Sequence, residues 1–255
     1  MGKTSTEMSG DKKLTFFGHL TELRKRLIKG VIAVIVTTII SFVFFKPIFY
    51  YLILPAGNID LIYIEMTEMI GTIMKVCLTS GIILAMPYLI YQLLMFVSPA
   101  LTRKEKRYVY FILPWVALMF LGGVVFAYFI LIPPASRFLI TFGSDIATPQ
   151  IKIGNYISIV SRLLLAIGLV FEMPVVTTFL ARIGVITSKW LASKRKIAFI
   201  SAFILGALIT PTFDPINQSL VAAPLIILFE MSIWLAKLVQ RRESEAVTST
   251  PTPAS

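Results

Sequence analysis

The chain has 255 residues, of which 57% are hydrophobic and only 15% are charged, and its mean hydropathy is +0.85. A soluble globular protein does not carry this much apolar surface, so the composition predicts a membrane protein with several spanning segments. The net charge of +11 does not indicate nucleic-acid binding, because the basic residues lie between apolar segments and not on a polar domain with interleaved aromatic residues.

Apolar segments long enough to cross a bilayer follow one another along the chain. About 20 helical residues are needed to cross the ~30 Å hydrocarbon core. Four segments reach that length and two more are shorter or interrupted: 27–45, 69–97, 108–131, 156–181, 197–209 and 218–236. We therefore predict an all-α protein with six transmembrane helices between a polar N-terminal tail, 1–15, and a disordered C-terminal tail, 241–255; the transmembrane domain is 16–240.

The placement of lysine and arginine predicts the orientation. Of the 24 basic residues, 19 lie in four segments on one side of the predicted spans: 1–30, 98–107, 182–196 and the tail after 236. The positive-inside rule then places both termini in the cytoplasm. We expect the membrane to be the plasma (inner) membrane.

The last two predicted spans are short. Lys196 and Pro211 enclose only about 13 helical residues, which reach roughly 20 Å. Glu230 interrupts the last apolar segment about 11 residues after Ser219. These lengths predict either a locally thinned membrane or a tilted, partly re-entrant hairpin.

The stretch HLTELRKRL, residues 19–27, directly precedes the first span. Apolar residues recur there at helical spacing and predict an amphipathic helix at the membrane surface: Phe16, Leu20, Leu23 and Leu27. Glu22 lies one turn from both His19 and Arg26, a spacing that also fits an ordinary surface ion pair worth a few tenths of a kcal/mol. His19 is the only histidine and has no cysteine or acidic cluster beside it, so we predict no metal site.

A second isolated acid, Glu105, stands among four basic residues in the loop SPALTRKEKRY. Two single carboxylates within basic segments on one predicted side form a pattern. A guanidinium group binds a carboxylate through two parallel hydrogen bonds, whereas lysine offers only a point charge. The two acids are therefore suited to bind arginine side chains.

Four stretches together resemble the TatC family, the multispanning receptor of the twin-arginine protein translocase. They are HLTELRKRL, YQLLMFVSPALTRKEKR, FEMP at 171–174 and TPTFDPINQ at 210–218, in the family's order between about residues 16 and 240. The resemblance implies binding of twin-arginine signal peptides of folded precursor proteins, small single-span partner subunits of the TatA/TatB type, and self-assembly in a multimeric receptor complex. It implies an energy source in the proton gradient, and neither a cofactor nor catalysis.

The resemblance also assigns individual positions. For signal-peptide binding it implies Glu22, Glu105, Phe96, Pro99, Arg24 and His19, and for function in the outer loops Pro55, Glu68 and Asp214. The segment TPTFDP has one residue more than the Pro-Pro-Asp that the family usually carries at this point.

Glu172 is predicted to lie near the middle of the membrane, because it is about ten residues, or ~15 Å, from Arg182. A carboxylate at that depth costs at least ~2.5–3.5 kcal/mol. Helical projection places four polar residues on one face: Ser158, Ser161, Arg162 and Glu172. Pro174 should bend the helix and open a concave surface. An internally paired structural acid is one interpretation; the resemblance favours contact of Glu172 and Arg162 with partner helices.

Two other functional classes are weighed against this one. A proton-coupled small-molecule permease would use an intramembrane acid, but no second acid lies at matching depth and no Gly-Pro break marks a midplane site. An enzyme of lipid or glycan chemistry would need a catalytic grouping, and none is visible in the sequence. Preference for a peptide with paired arginines over one with paired lysines would separate the receptor from both alternatives.

Overall fold

The computed structural model describes residues 5–57, 61–97, 103–141, 146, 150–210 and 215–248. Within these ranges it describes the side chains except those of 5–17, 19, 97, 103–109, 139–140, 216–217 and 242–248.

The described residues form ten α-helices. They are α1 Ser5–Val43, α2 Phe45–Ile53, α3 Glu68–Val97, α4 Arg103–Phe126, α5 Ile132–Thr141, α6 Ile153–Phe171, α7 Met173–Arg182, α8 Ser188–Ser193, α9 Arg195–Ile209 and α10 Pro215–Thr248. A 3-10 turn, Leu54–Ala56, follows α2, and a π-helical turn, Ala127–Leu131, joins α4 to α5. One isolated parallel β-bridge pairs Ile62 with Lys152. The all-α prediction is confirmed for this part of the chain.

Five helical segments of the described chain are long and apolar enough to cross a membrane: Leu20–Val43, Glu68–Phe96, Tyr110–Phe138, Ile153–Arg182 and Gln218–Arg241. They correspond to the first four predicted spans and the last. The remaining predicted span corresponds to α9, whose 15 residues reach only ~22 Å.

The last helix is longer than the sequence predicted. Two guanidinium nitrogens of Arg195 donate to the carboxylate of Glu230: Nε to Oε1 at 2.7 Å and Nη2 to Oε2 at 2.8 Å. Helix α10 continues past this ion pair and has 34 residues in all. Because Arg195 belongs to the basic segment 182–196, the pair is compatible with Glu230 at the membrane surface, and the short last span stays a prediction.

The predicted break beside Pro174 is confirmed. Helix α6 ends at Phe171 and α7 begins at Met173, with Glu172 at the junction. Proline has no backbone N–H and cannot continue the hydrogen-bond ladder of α6.

Helices α1 and α3 pack closely and antiparallel. The hydroxyl of Thr37 donates to the carbonyl oxygen of Gly81 at 2.8 Å. A Cβ atom at Gly81 would lie 2.7 Å from the Cα atom of Thr38, so only glycine permits this approach. The contact brings the start of the α1 span beside the end of α3. We call this the Glu22 end of the bundle; the opposite end contains Glu68 and the start of α6.

Candidate functional site

Three polar side chains meet at the Glu22 end. Arg26 donates to Glu22 Oε1 from Nη2 at 2.6 Å and from Nε at 3.1 Å, and its Nη1 donates to Gln92 Oε1 at 3.3 Å. Glu22 and Arg26 retain 32% and 21% of their side-chain exposure, whereas Gln92 is buried. The acid predicted to bind arginine already binds one, and it remains accessible from outside the bundle.

An apolar cavity of about 330 Å³ lies beside these polar groups, between α1 and α3. Its apolar lining comes from both helices: Leu23, Leu27, Val31, Val34, Ile35, Leu89, Leu93 and Phe96. Arg26 and Gln92 complete its wall. Gly30 also lines the cavity, and a Cβ atom there would lie 3.0 Å from Leu89 Cδ2, so glycine allows the two helices to approach at this point.

The α1 span is unusual in how little of it the rest of the chain covers. Of its most apolar 18 residues only 11% are buried, against 33–39% of the corresponding residues in the other four spans. The apolar residues Leu27, Val31 and Ile35 are each more than half exposed beside the cavity. The site therefore combines a guanidinium-binding carboxylate with an apolar helix face, which is the chemistry needed for a peptide with arginine next to an apolar stretch.

The structure locates some of the predicted peptide-binding residues. Phe96 lines the cavity, as expected from its assigned role, and Arg24 is exposed on α1 outside the Glu22–Arg26–Gln92 contact. His19 lies in α1 and Glu105 in α4, but their side chains are outside the described part, as is Pro99 entirely. Contacts of these three residues stay predictions.

At the opposite end, Glu68 joins three backbone segments. Its Oε2 accepts a hydrogen bond from the Ile64 N–H at 3.0 Å, and its Oε1 accepts one from the Gly154 N–H at 3.3 Å. These contacts give Glu68 a structural role in addition to the predicted functional one. Pro55 lies in the 3-10 turn after α2, and Asp214 is outside the described residues.

Glu172 and Arg162 occupy different surroundings. Glu172 is 5% exposed, and neither of its carboxyl oxygens has a hydrogen-bond partner in the described part of the chain. The hydroxyl of Ser161 is likewise buried without a partner there. Arg162 is exposed and lines a separate cavity at the opposite end. Glu172 and Arg162 therefore do not form a single site in the structure.

Gln92 is the residue that the sequence analysis missed. It is a single amide within the apolar stretch YQLLMF, and a buried polar group in a spanning helix requires a partner. That signal was available in the sequence, but its partner Arg26 is 66 residues away and becomes visible only in the fold.

Comparison with known proteins decides the family. The family model described as Sec-independent protein translocase protein (TatC) matches residues 18–224 of this chain. The chain belongs to the TatC family. Sec-independent protein translocase proteins TatC from Carboxydothermus hydrogenoformans and Aquifex aeolicus are each 41% identical to it, over 235 and 233 residues. These alignments cover 91% and 89% of this chain and 97% and 96% of the relatives.

A solved crystal structure of the twin-arginine translocase receptor TatC has the same architecture. It superimposes with a TM-score of 0.78 at 41% identity, covering 87% of this chain and 99% of the other. This TatC-family chain is therefore a component of a Sec-independent protein translocase and a multi-pass membrane protein. The relatives' names describe transport and not catalysis.

Proposed function

We propose that this chain is the receptor subunit that binds twin-arginine signal peptides of folded precursor proteins. The observation that carries the proposal is the contact of Arg26 with Glu22 beside an apolar cavity. In the free chain the guanidinium group of Arg26 binds the carboxylate of Glu22. When the signal peptide binds, one of its arginines displaces Arg26 from Glu22. The apolar part of the peptide then lies along the exposed face of α1 and α3.

Arg26 needs an alternative partner when the peptide arrives, and Gln92 supports this step. The Gln92 side-chain oxygen already accepts a hydrogen bond from Nη1 of Arg26. It can retain the displaced guanidinium through this bond, so that Arg26 is not left in an apolar wall without an acceptor. Exchange of one guanidinium for another also keeps the local charge balanced.

Glu105 supplies the second acid in this proposal. The resemblance assigns Glu105, together with Glu22, to contact with the twin-arginine motif, and Phe96 and Pro99 shape the adjoining site. Arg24 and His19, in the same stretch as Glu22, flank the bound motif.

In the membrane, we propose that α9 forms a short additional span, giving six in all with both termini cytoplasmic in the plasma membrane. This orientation follows the basic residues, and it places the Glu22 end on the cytoplasmic side. The chain further assembles with copies of itself and with small single-span TatA/TatB-type subunits along a concave surface. Pro55 and Asp214 act in the outer loops.

Glu172 supports the placement of a partner helix. Because Glu172 is buried in this chain, a partner helix would reach its carboxyl group only when the helices around it move; a hydrogen bond formed then would be worth ~0.6–2 kcal/mol in the membrane. Because Arg162 lies at another cavity, the two residues contact partners separately in this proposal.

Peptide binding by the purified chain in lipid nanodiscs tests the receptor function. We expect a peptide with two consecutive arginines to bind at least tenfold more tightly than the same peptide with two lysines, because lysine cannot form the bidentate contact. Equal affinity for both peptides would overturn the proposal and would return the permease to consideration.

A further inference from the structure

A second, polar cavity lies at the opposite end of the bundle, far along α3 from the peptide site. It measures about 800 Å³, which is within the range of small-molecule sites. Helices α3, α5 and α6 form its walls together with residues 150–152. Its polar lining residues are Lys75, Ser136, Gln150, Lys152, Asn155, Tyr156, Ser158 and Arg162.

The charges in this cavity are all positive. Lys75, Lys152 and Arg162 line it, and no acid is among its lining residues. Two acids, Glu65 and Glu68, line an adjoining cavity that shares Lys75 and Lys152 with this one, so they partly balance those two lysines, whereas Arg162 lies outside that adjoining cavity. Lys75 donates to the Ser158 hydroxyl at 3.1 Å, a neutral partner. Among the described residues, none of the three cations forms a close ion pair.

Two of these cations lie within the spanning segments. Lys75 is seven residues from the start of its span, or ~10 Å, and Arg162 is nine residues from the start of α6, or ~13 Å. Cations at such depth are costly unless an anion or water reaches them. Asn155, Ser158 and Arg162 recur at i, i+3 and i+7, so a polar strip on α6 leads from the opposite end to the deepest cation.

We propose that this cavity binds the phosphate of an anionic phospholipid headgroup. The phosphate oxygens would accept hydrogen bonds from Lys75 and Arg162, with Lys152 at the entrance to the cavity. Basic pockets between transmembrane helices on the cytoplasmic side bind such headgroups, and the same charge complementarity carries the proposal for this cavity at the opposite end. The apolar residues Ile132, Ile159 and Leu163 complete the wall of the cavity. The site is independent of the peptide-binding function proposed above.

Native mass spectrometry of the purified chain, with added phosphatidylglycerol or phosphatidylcholine, tests this site. We expect at least a tenfold preference for phosphatidylglycerol, falling to threefold or less in Lys75→Gln/Arg162→Gln. Arg162→Lys keeps the charge and should retain most of the preference. Lys46→Gln removes an exposed cation from α2, near the same end but outside the cavity, and should change nothing.

Thermal unfolding distinguishes loss of the lipid from loss of the fold. The double variant should melt like the unaltered chain in phosphatidylcholine nanodiscs but should lose the stabilisation that phosphatidylglycerol gives. Inorganic phosphate is the second probe: if phosphate alone at millimolar concentration gives the full stabilisation, the site takes a free anion and the lipid assignment is wrong. Equal binding of the two lipids, or an equal loss in Lys46→Gln, would also overturn the proposal.

Discussion

The Glu22 end and the interior around Glu172 each contain an acidic residue within an apolar helical protein, but the two carboxyl groups differ in exposure and in hydrogen bonding. Glu22 is hydrogen-bonded to Arg26 and is about one-third exposed. Glu172 is buried, and its oxygens have no partner in the described part of the chain. Glu22 is accessible and can exchange one guanidinium partner for another at little cost. Glu172 is enclosed and can gain a partner only if the helices around it move.

The surrounding helices differ in the same way. The α1 span is mostly uncovered by the rest of the chain, whereas α6 contributes many buried residues, among them Ile157, Leu163 and Ile167. The first region is a surface that a ligand can reach, and the second is a packed core in which the Glu172 carboxyl group and the Ser161 hydroxyl have no hydrogen-bond partner in the described part of the chain. Substitutions should therefore change binding in the first region and stability in the second.

The largest effect is expected from Glu172→Lys. Burying an ammonium group without a partner costs several kcal/mol, so the yield of folded protein and its thermal midpoint should fall sharply. Glu172→Gln keeps the shape and should be mild. Glu65→Lys makes the same charge change at an exposed position and serves as the control. Wild-type stability in Glu172→Lys would show that this acid faces an open surface and not the core.

The break at Glu172 illustrates what the sequence could predict. Pro174 has a local effect on the helix ladder, so the break was readable from the residue itself. The helical projection grouped Ser158, Ser161, Arg162 and Glu172 on one face, but the structure separates them: Ser158 and Arg162 line the polar cavity, whereas Ser161 and Glu172 are buried without hydrogen-bond partners in the described part of the chain. Arg162 is ten residues before Glu172 and lies ~80° from it even in an unbroken helix, whereas Ser161 projects to nearly the same direction as Glu172 and is buried like it.

Long-range pairs account for the other differences. The ion pair of Glu230 with Arg195 on the preceding helix joins residues 35 positions apart and could not be predicted from spacing. Arg26 was correctly identified as a neighbour of Glu22 by its spacing along one helix, whereas its contact with Gln92 depends on how α1 packs on α3. Contacts within one helix are predictable from spacing; those between helices require the fold.

The next largest effect is expected from Glu22→Gln. The variant keeps the side-chain shape but removes charge-assisted hydrogen bonds worth ~1.5–3 kcal/mol, so affinity for a twin-arginine peptide should fall roughly ten- to a hundredfold. Fluorescence anisotropy in nanodiscs measures this. Glu65→Gln loses the same charge at the opposite end and should bind normally. Unaltered affinity in Glu22→Gln would remove this acid from the proposed site.

A smaller effect is expected from Gly81→Ala, which tests whether the α1–α3 packing supports the exposed region. The added methyl would lie 2.7 Å from Thr38 Cα, and forcing the helices apart costs ~1–3 kcal/mol. We expect a lower thermal midpoint and weaker peptide binding, because the cavity between the helices changes shape. Gly71→Ala, on the same helix with nothing within 4 Å, should be neutral or slightly stabilising. Equal midpoints in the two variants would contradict the close approach.

The smallest effect, and the one that separates exchange from simple pairing, is expected from Arg26→Gln. If Arg26 competes with the peptide for Glu22, its removal should tighten binding. A partly exposed ion pair contributes ~0.2–1 kcal/mol, so the gain is at most about fivefold. Lys25→Gln removes the same charge from an exposed neighbouring position outside the contact, and it accounts for any general effect of charge.

Gln92→Leu should act in the opposite direction. Without the Gln92 oxygen, the displaced guanidinium has no acceptor in the apolar wall, so Arg26 stays on Glu22 and peptide binding weakens slightly. The double variant Arg26→Gln/Gln92→Leu removes both the competitor and its alternative partner, and it should bind like Arg26→Gln alone. Weaker binding in Arg26→Gln would mean that Arg26 holds Glu22 in position for the peptide. In that case Glu22 would not exchange its partner when the peptide binds, and the proposed contrast with Glu172 would be wrong.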